Sequence, residues 1–142
     1  MCIRDRFILL LIFTAILYAD GTYVPPDQLP TNIIEFINLY FPNTAIMYAE
    51  MSRKKYEIAL DNGVEIEFLR NGELKETEGN YIALPLNILP KSVANTVTKT
   101  YPNTVITKIK KKWNLYEVKL NNMMELYIDA SSGQLLGQKF DD

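Results

Sequence analysis

Surface chemistry needs groups that move protons, hold a metal or make a bond, and this chain of 142 residues is short of all three. It has no histidine, the commonest general acid–base and metal ligand. Its single cysteine cannot form an intrachain disulfide or a thiolate zinc site. Glutamates remain. Glu57, Glu65, Glu67, Glu117 and Glu125 could act as paired carboxylates, which requires two of them to face each other across a cleft with one pKa raised. Each falls instead on the polar side of an alternating run, where water is the default neighbour. The stretch 61–67, DNGVEIE, superficially resembles a calcium loop. Such a loop wants its glycine sixth, between clustered carboxylates and a later bidentate one. Here the glycine is third and the residues after it alternate as a strand. No serine or lysine carries a nucleophile signature. The reading is no catalytic residue, no cofactor and no metal.

What is left suits recognition. Trp113, Tyr48 and Tyr127 lie opposite the apolar set or in a turn, near lysine or arginine, as binding hot spots do. The plainer alternative is that the sheet curls and they pack locally on its outer face. An apolar patch containing Trp113 and Tyr127 is the expectation of the binding reading. Lys108, Lys110, Lys111 and Lys112 form a basic run. Residues 29–79 hold nine acidic and five basic groups, whereas residues 89–142 hold five acidic and eight basic, so the molecule is dipolar. Such a field steers an acidic partner. Solubility and protection of a strand edge by lysine are the simpler and favoured role for the run. A net charge of −2 argues against general nucleic-acid binding.

The elements that carry these residues are duplicated. Residues 29–68 align without gaps on residues 89–128, with identical pairs Leu29/Leu89, Pro30/Pro90, Pro42/Pro102, Asn43/Asn103, Tyr56/Tyr116, Glu57/Glu117, Leu60/Leu120 and Glu65/Glu125 among others. Gly72/Gly133 follow after one inserted residue. Each copy reads helix first. Pro30 and Pro90 suit a first helical position, and Pro42 and Pro102 end each helix. Strands are expected at 45–51, 55–60, 64–68 and 73–77, and at 105–111, 115–120, 124–128 and 134–140. Asn62-Gly63 signals a type I′ turn, and Asn121-Asn122 a weaker version of it. The fold class is α+β: two tandem α-β-β-β-β repeats forming an antiparallel sheet, with helices covering one face and water on the other. Tyr56 and Tyr116 point inward as core. Units of about 50 residues bury little surface alone, so the copies are expected to share one sheet and core.

Ahead of the repeats, Arg4 and Arg6 precede an apolar run at 7–19, the length of a signal-peptide core and short of the roughly 20 residues that span a bilayer. Met1 to Arg6 also resembles translated sequencing-adapter sequence, so the charge before the apolar run rests on it. Cleavage after Ala19 would leave no cysteine, as suits an oxidising compartment. The expected organisation is a signal peptide at 1–19, a linker at 20–28, and repeats at 29–80 and 81–142 in one continuous domain, with no membrane span after cleavage.

The Leu-Pro helix start, the Tyr/Phe-Pro-Asn stop, the Tyr-Glu-(Ile/Val) strand, the Asn-Gly turn and Glu-Ile-Glu-Phe, all in tandem, resemble the PepSY-like family. The second copy departs from the pattern at Asn121-Asn122-Met123. The resemblance implies a small periplasmic protein related in fold to beta-lactamase inhibitory protein, with no enzymatic activity and a role in binding or inhibiting another protein. It carries no functional residues across, because the matching positions are caps, turns and core. The functional expectation is an exported, non-enzymatic protein contacting a protein partner through the open sheet face, with Trp113, Tyr127, Tyr48, Lys108 and Lys110 as contact candidates. The alternatives are a small-ligand carrier, or a structural or assembly accessory of the envelope.

Overall fold

The computed structural model describes residues 21–141, so the expected leader lies outside the described residues. The strands are β1 (Thr22–Tyr23), β2 (Ile46–Met51), β3 (Lys55–Leu60), β4 (Glu65–Leu69), β5 (Leu74–Glu78), β6 (Ile106–Lys112), β7 (Leu115–Leu120), β8 (Met124–Asp129) and β9 (Leu135–Phe140). They form one nine-stranded sheet in chain order, every neighbour antiparallel. Two helices, α1 (Thr31–Tyr40) and α2 (Lys91–Thr100), cover one face.

Local sequence explains each element. Ile33 and Ile37 of α1, and Val93 and Val97 of α2, recur at helical spacing and are buried. Against them lie Tyr56, Ile58, Leu60, Val64, Ile66 and Phe68 in the first repeat, and Tyr116, Val118, Leu120, Leu126 and Ile128 in the second. Each such burial is worth about 1.5–3 kcal/mol, which outweighs the weak propensity of the Thr- and Asn-rich α2. Threonine hydroxyls of α2 bond back to its own carbonyls, as Thr98 does to Ala94 and Thr100 to Thr96. Pro30 and Pro90 sit one position earlier than expected. They cap the helices from outside, and the Pro30 carbonyl accepts from the N–H groups of Ile33 and Ile34. A short 3-10 turn precedes each helix, at Pro26–Gln28 and Leu86–Ile88. Both β1 and the first of these turns fall in the stretch read as a linker, and Val24 between them joins the core.

The turns correct one expectation. Leu60 and Val64 close a three-residue loop in which only Gly63 has positive φ, +94°. That is a turn followed by a one-residue bulge, not a type I′ turn, which would need positive φ at Asn62 too. Asn62 instead uses its side chain, accepting the Val64 N–H at 3.1 Å. The second repeat copies this with Asn122 and Met124, but the bulge position is Met123, at φ +68°. A side chain there costs roughly 1–2 kcal/mol. Met123→Gly should therefore raise stability by roughly 0.5–1 kcal/mol after the extra chain entropy of glycine, measured by urea unfolding. Gly72 and Gly133 answer a different need. A Cβ at Gly133 would lie 2.6 Å from the Ser92 carbonyl oxygen, so these turns press directly on the first turn of each helix.

The two repeats meet at β5 and β6. Glu76, Thr77 and Glu78 stand opposite Lys110, Ile109 and Lys108, and Lys108 Nζ lies 3.0 Å from Glu76. β6 is an interior strand, so its lysines do not guard an edge. They face the acidic last strand of the first repeat, and the opposite charges of the two copies form a seam. Thr77, opposite Ile109, is fully buried, and its hydroxyl has no hydrogen-bond partner among the described residues. An unpaired buried hydroxyl costs about 1–3 kcal/mol. Thr77→Val keeps the shape and removes that cost, so it should stabilise the protein by about 1 kcal/mol in the same unfolding measurement.

Candidate functional site

Alternation along the strands sends apolar side chains to the helices and leaves a polar open face. Its two halves differ in charge. The first-repeat half is a shallow space of about 300 Å³ lined by Tyr48, Glu50, Glu57, Glu65, Glu67, Glu76 and Glu78. The second-repeat half is a trough of about 720 Å³ with five lysines, Lys108, Lys110, Lys112, Lys119 and Lys139. Its acids are Glu78, Glu117, Glu125 and Asp141, and Tyr81, Met123 and Tyr127 add apolar surface.

The acidic half is knotted together. Lys55 reaches both Glu57, at 2.8 Å, and Glu67. Both carboxylates raise its ammonium pKa, Glu57 most. Burial alone would push the Glu67 carboxyl up, but hydrogen bonds with Glu76 and Lys55 outweigh it and hold Glu67 at about 2. Glu76 moves the other way, raised by burial and by its hydrogen bond to Glu67. Lys108 opposes that rise from the other side, 3.0 Å from the Glu76 carboxylate. Because the folded Glu67 pKa lies below its ordinary value of 4.5, its contribution is complete above 4.5 and is lost as pH falls towards 2. Glu67→Gln should cost on the order of 1 kcal/mol at pH 7 and almost nothing near pH 2, read from urea midpoints across pH. Among the described residues no group of these carboxylates is arranged to hold a metal ion.

In the basic half, Lys112 pairs with Glu117 at 3.0 Å and Lys119 with Asp141 at 3.7 Å. Lys110 stands between Glu76 on β5 and Glu117 on β7. Tyr127, beside Lys139, raises that lysine's pKa. Such exposed pairs contribute about 0–1 kcal/mol each, so these lysines do little for the fold and are available to exchange partners.

Of the sequence candidates, Lys108, Lys110 and Tyr127 come together in the trough. Tyr48 lies in the acidic half, its ring 5.8 Å from that of Tyr23. Trp113 is on neither lining; it stands at the β6–β7 turn, 98% exposed. Trp113 and Tyr127 thus form no common apolar patch, and the surface around Tyr127 is lysine-rich. Lys112 belongs to the basic run read from sequence, whereas Tyr81, Lys119, Lys139 and Met123 were not singled out there as contacts. Tyr81, fully exposed, sits between the repeats where no periodicity assigns a face. The others gather only because β6, β7, β8 and β9 lie side by side.

A family model described as "Putative beta-lactamase-inhibitor-like, PepSY-like" matches twice, over residues 17–74 and 54–136. The chain belongs to the PepSY-like family. The paired match agrees with the internal duplication, and the PepSY-like resemblance read from the turn and cap residues holds. Among solved structures, one described as a "putative periplasmic protein" from Bacteroides vulgatus is 27% identical. It superposes with a TM-score of 0.78, covering 84% of this chain and 97% of its own. Another, from Bacteroides thetaiotaomicron and described as a "putative calcium-regulated periplasmic protein", is 28% identical with a TM-score of 0.77, covering 84% and 96%. No curated protein matches this PepSY-like chain.

Proposed function

We propose that this PepSY-like protein is exported to the periplasm and acts without catalysis, holding a protein partner on the open face of its sheet, with inhibition of that partner as one consequence of binding. The observation that carries the reading is the trough of about 720 Å³, in which lysines surround Tyr127 and Tyr81 on a face that neither described helix covers. A partner presenting carboxylates around an apolar side chain complements it. Export is supported by the apolar run at 7–19 and by the periplasmic descriptions of the structural neighbours. No helix among the described residues is long and apolar enough to cross a membrane.

A small-ligand carrier would need an enclosed space between helices and sheet. That layer is filled by Ile33, Phe68, Leu126 and Ile128, all without exposed surface, so protein binding is the better supported reading. Regulation by calcium, as one neighbour's description has it, finds no support in the acidic half, where Lys55 and Lys108 pair with Glu57, Glu67 and Glu76 and no described group of carboxylates is arranged for a metal. The reading is tested by affinity capture from an envelope extract. A partner held by the wild type should be lost from Lys110→Glu/Tyr127→Ala, both in the trough, and retention by that double variant would mean that another surface binds.

A further inference from the structure

The duplication shows what an outer strand edge in this fold is built to accept. β5 and β9 are counterparts: Glu78 and Lys139 stand opposite Glu65 and Glu125, and Thr77 and Gln138 opposite Ile66 and Leu126. The outer edge of β5 is filled by β6, and Gly79 just beyond it donates its N–H to the Thr107 carbonyl at 2.9 Å. The outer edge of β9 pairs with no strand among the described residues. At the opposite end of the sheet, β1 covers β2.

The direction of the free groups on β9 follows from one bond. Asp141 donates inward, to the Met123 carbonyl, at 2.8 Å. Backbone groups alternate along a strand, so Lys139 and Gly137 also turn inward, while Gln138 and Phe140 turn N–H and C=O outward. Gly79, the first-repeat counterpart of Phe140, turns the same way. Open edges are usually blunted by shortness, proline or charge. β9 has six residues, no proline and one charge, Lys139. It also leaves Leu136 58% and Phe140 63% exposed.

We propose that β9 pairs antiparallel with β9 of a second copy about a two-fold axis at Gln138, joining two nine-stranded sheets into one. The axis fixes every opposition. Gln138 meets Gln138, Lys139 meets Gly137, Phe140 meets Leu136, and Asp141 meets Leu135. No like charges stand directly opposite, the lysine lies over a glycine, and the two exposed apolar side chains cover each other. Head-to-tail growth is disfavoured twice: β1 occupies β2, and Gly137 and Lys139 replace the Glu76 and Glu78 that draw the basic β6. Two-fold pairing also closes the assembly instead of propagating it. This inference concerns the sheet edge and stands or falls apart from the reading of the open face.

One strand pair is smaller than a standard interface of about 1,600 Å², so association belongs in the micromolar-to-millimolar range. Sedimentation equilibrium of the purified wild type should show the mass doubling across that range. Gln138→Pro removes an outward N–H that β8 does not use, and should keep the mass of one copy throughout with an unchanged circular dichroism spectrum. Should that variant not fold, amide exchange of the wild type decides: the Gln138 and Phe140 amides should exchange about tenfold more slowly at high than at low concentration. A single-copy mass at every concentration, a folded Gln138→Pro that still doubles, or exchange at these amides independent of concentration would overturn the proposal.

Discussion

Replacing Phe68 with alanine is expected to cost about 3–5 kcal/mol and to weaken both repeats together. Phe68 has no exposed surface, and Phe36 of α1 meets its ring edge-on at 5.2 Å and 86°. Truncation leaves a cavity between helix and sheet that neither rigid layer can close. Domains of this size are stable by only about 5–15 kcal/mol, so the loss is a large part of the whole. The shared loss is the informative part. β5 and β6 continue one sheet through Thr77 and Ile109, both fully buried, and Leu84 adds a bridge to Ile106. The amides of Val118 and Leu126 in the second repeat should therefore lose protection along with those of Ile58 and Ile66. Protection confined to its wild-type level in the second repeat would mean that the copies unfold independently.

Tyr127→Ala and Lys110→Glu should each weaken partner binding by about 30-fold, the loss of one hot-spot contact of about 2 kcal/mol, and Tyr127→Ala should do so without lowering the melting temperature measurably. Tyr127 offers a ring on the open face, and a tyrosine has few rotatable bonds, so little side-chain freedom is lost on binding. Lys110 lies at mid-trough between two glutamates, where reversal sets three acids together and repels an acidic partner. The lysine effect should appear mainly in the association rate and shrink with salt, whereas the tyrosine effect should appear in dissociation. Calorimetric or surface-based titration of the captured partner separates the two.

The fold was largely legible because duplication repeats its own evidence. Tyr56/Tyr116, Leu60/Leu120 and the proline pairs set the core face and the helix limits twice over. The misses have local causes. Asn-Gly serves both a type I′ turn and a bulged three-residue loop, and only the backbone bonds between Leu60 and Val64 choose between them. β1 is two residues long, too short for any period, and is held by β2 rather than by its own sequence. The charge difference between the copies was visible, but its role was not. Strand order turns Glu76, Glu78, Lys108 and Lys110 from a solvated dipole into a seam. The site was the least legible part. Tyr127 was found by alternation and Lys108 and Lys110 as part of a basic run, whereas Lys119 and Lys139 required knowing that β7, β8 and β9 are neighbours. Trp113 was read as a turn residue beside the lysines, and that place at the β6–β7 turn separates it from the trough.

The open-face claim is tested most directly by site-specific photo-crosslinking in the envelope of producing cells. A photoreactive side chain placed at Tyr127, in the trough, should give a discrete covalent adduct with one partner protein. The same group at Leu39, exposed on the helix-bearing side, should give none. Adducts of equal yield from both positions, or from Leu39 alone, would contradict the account.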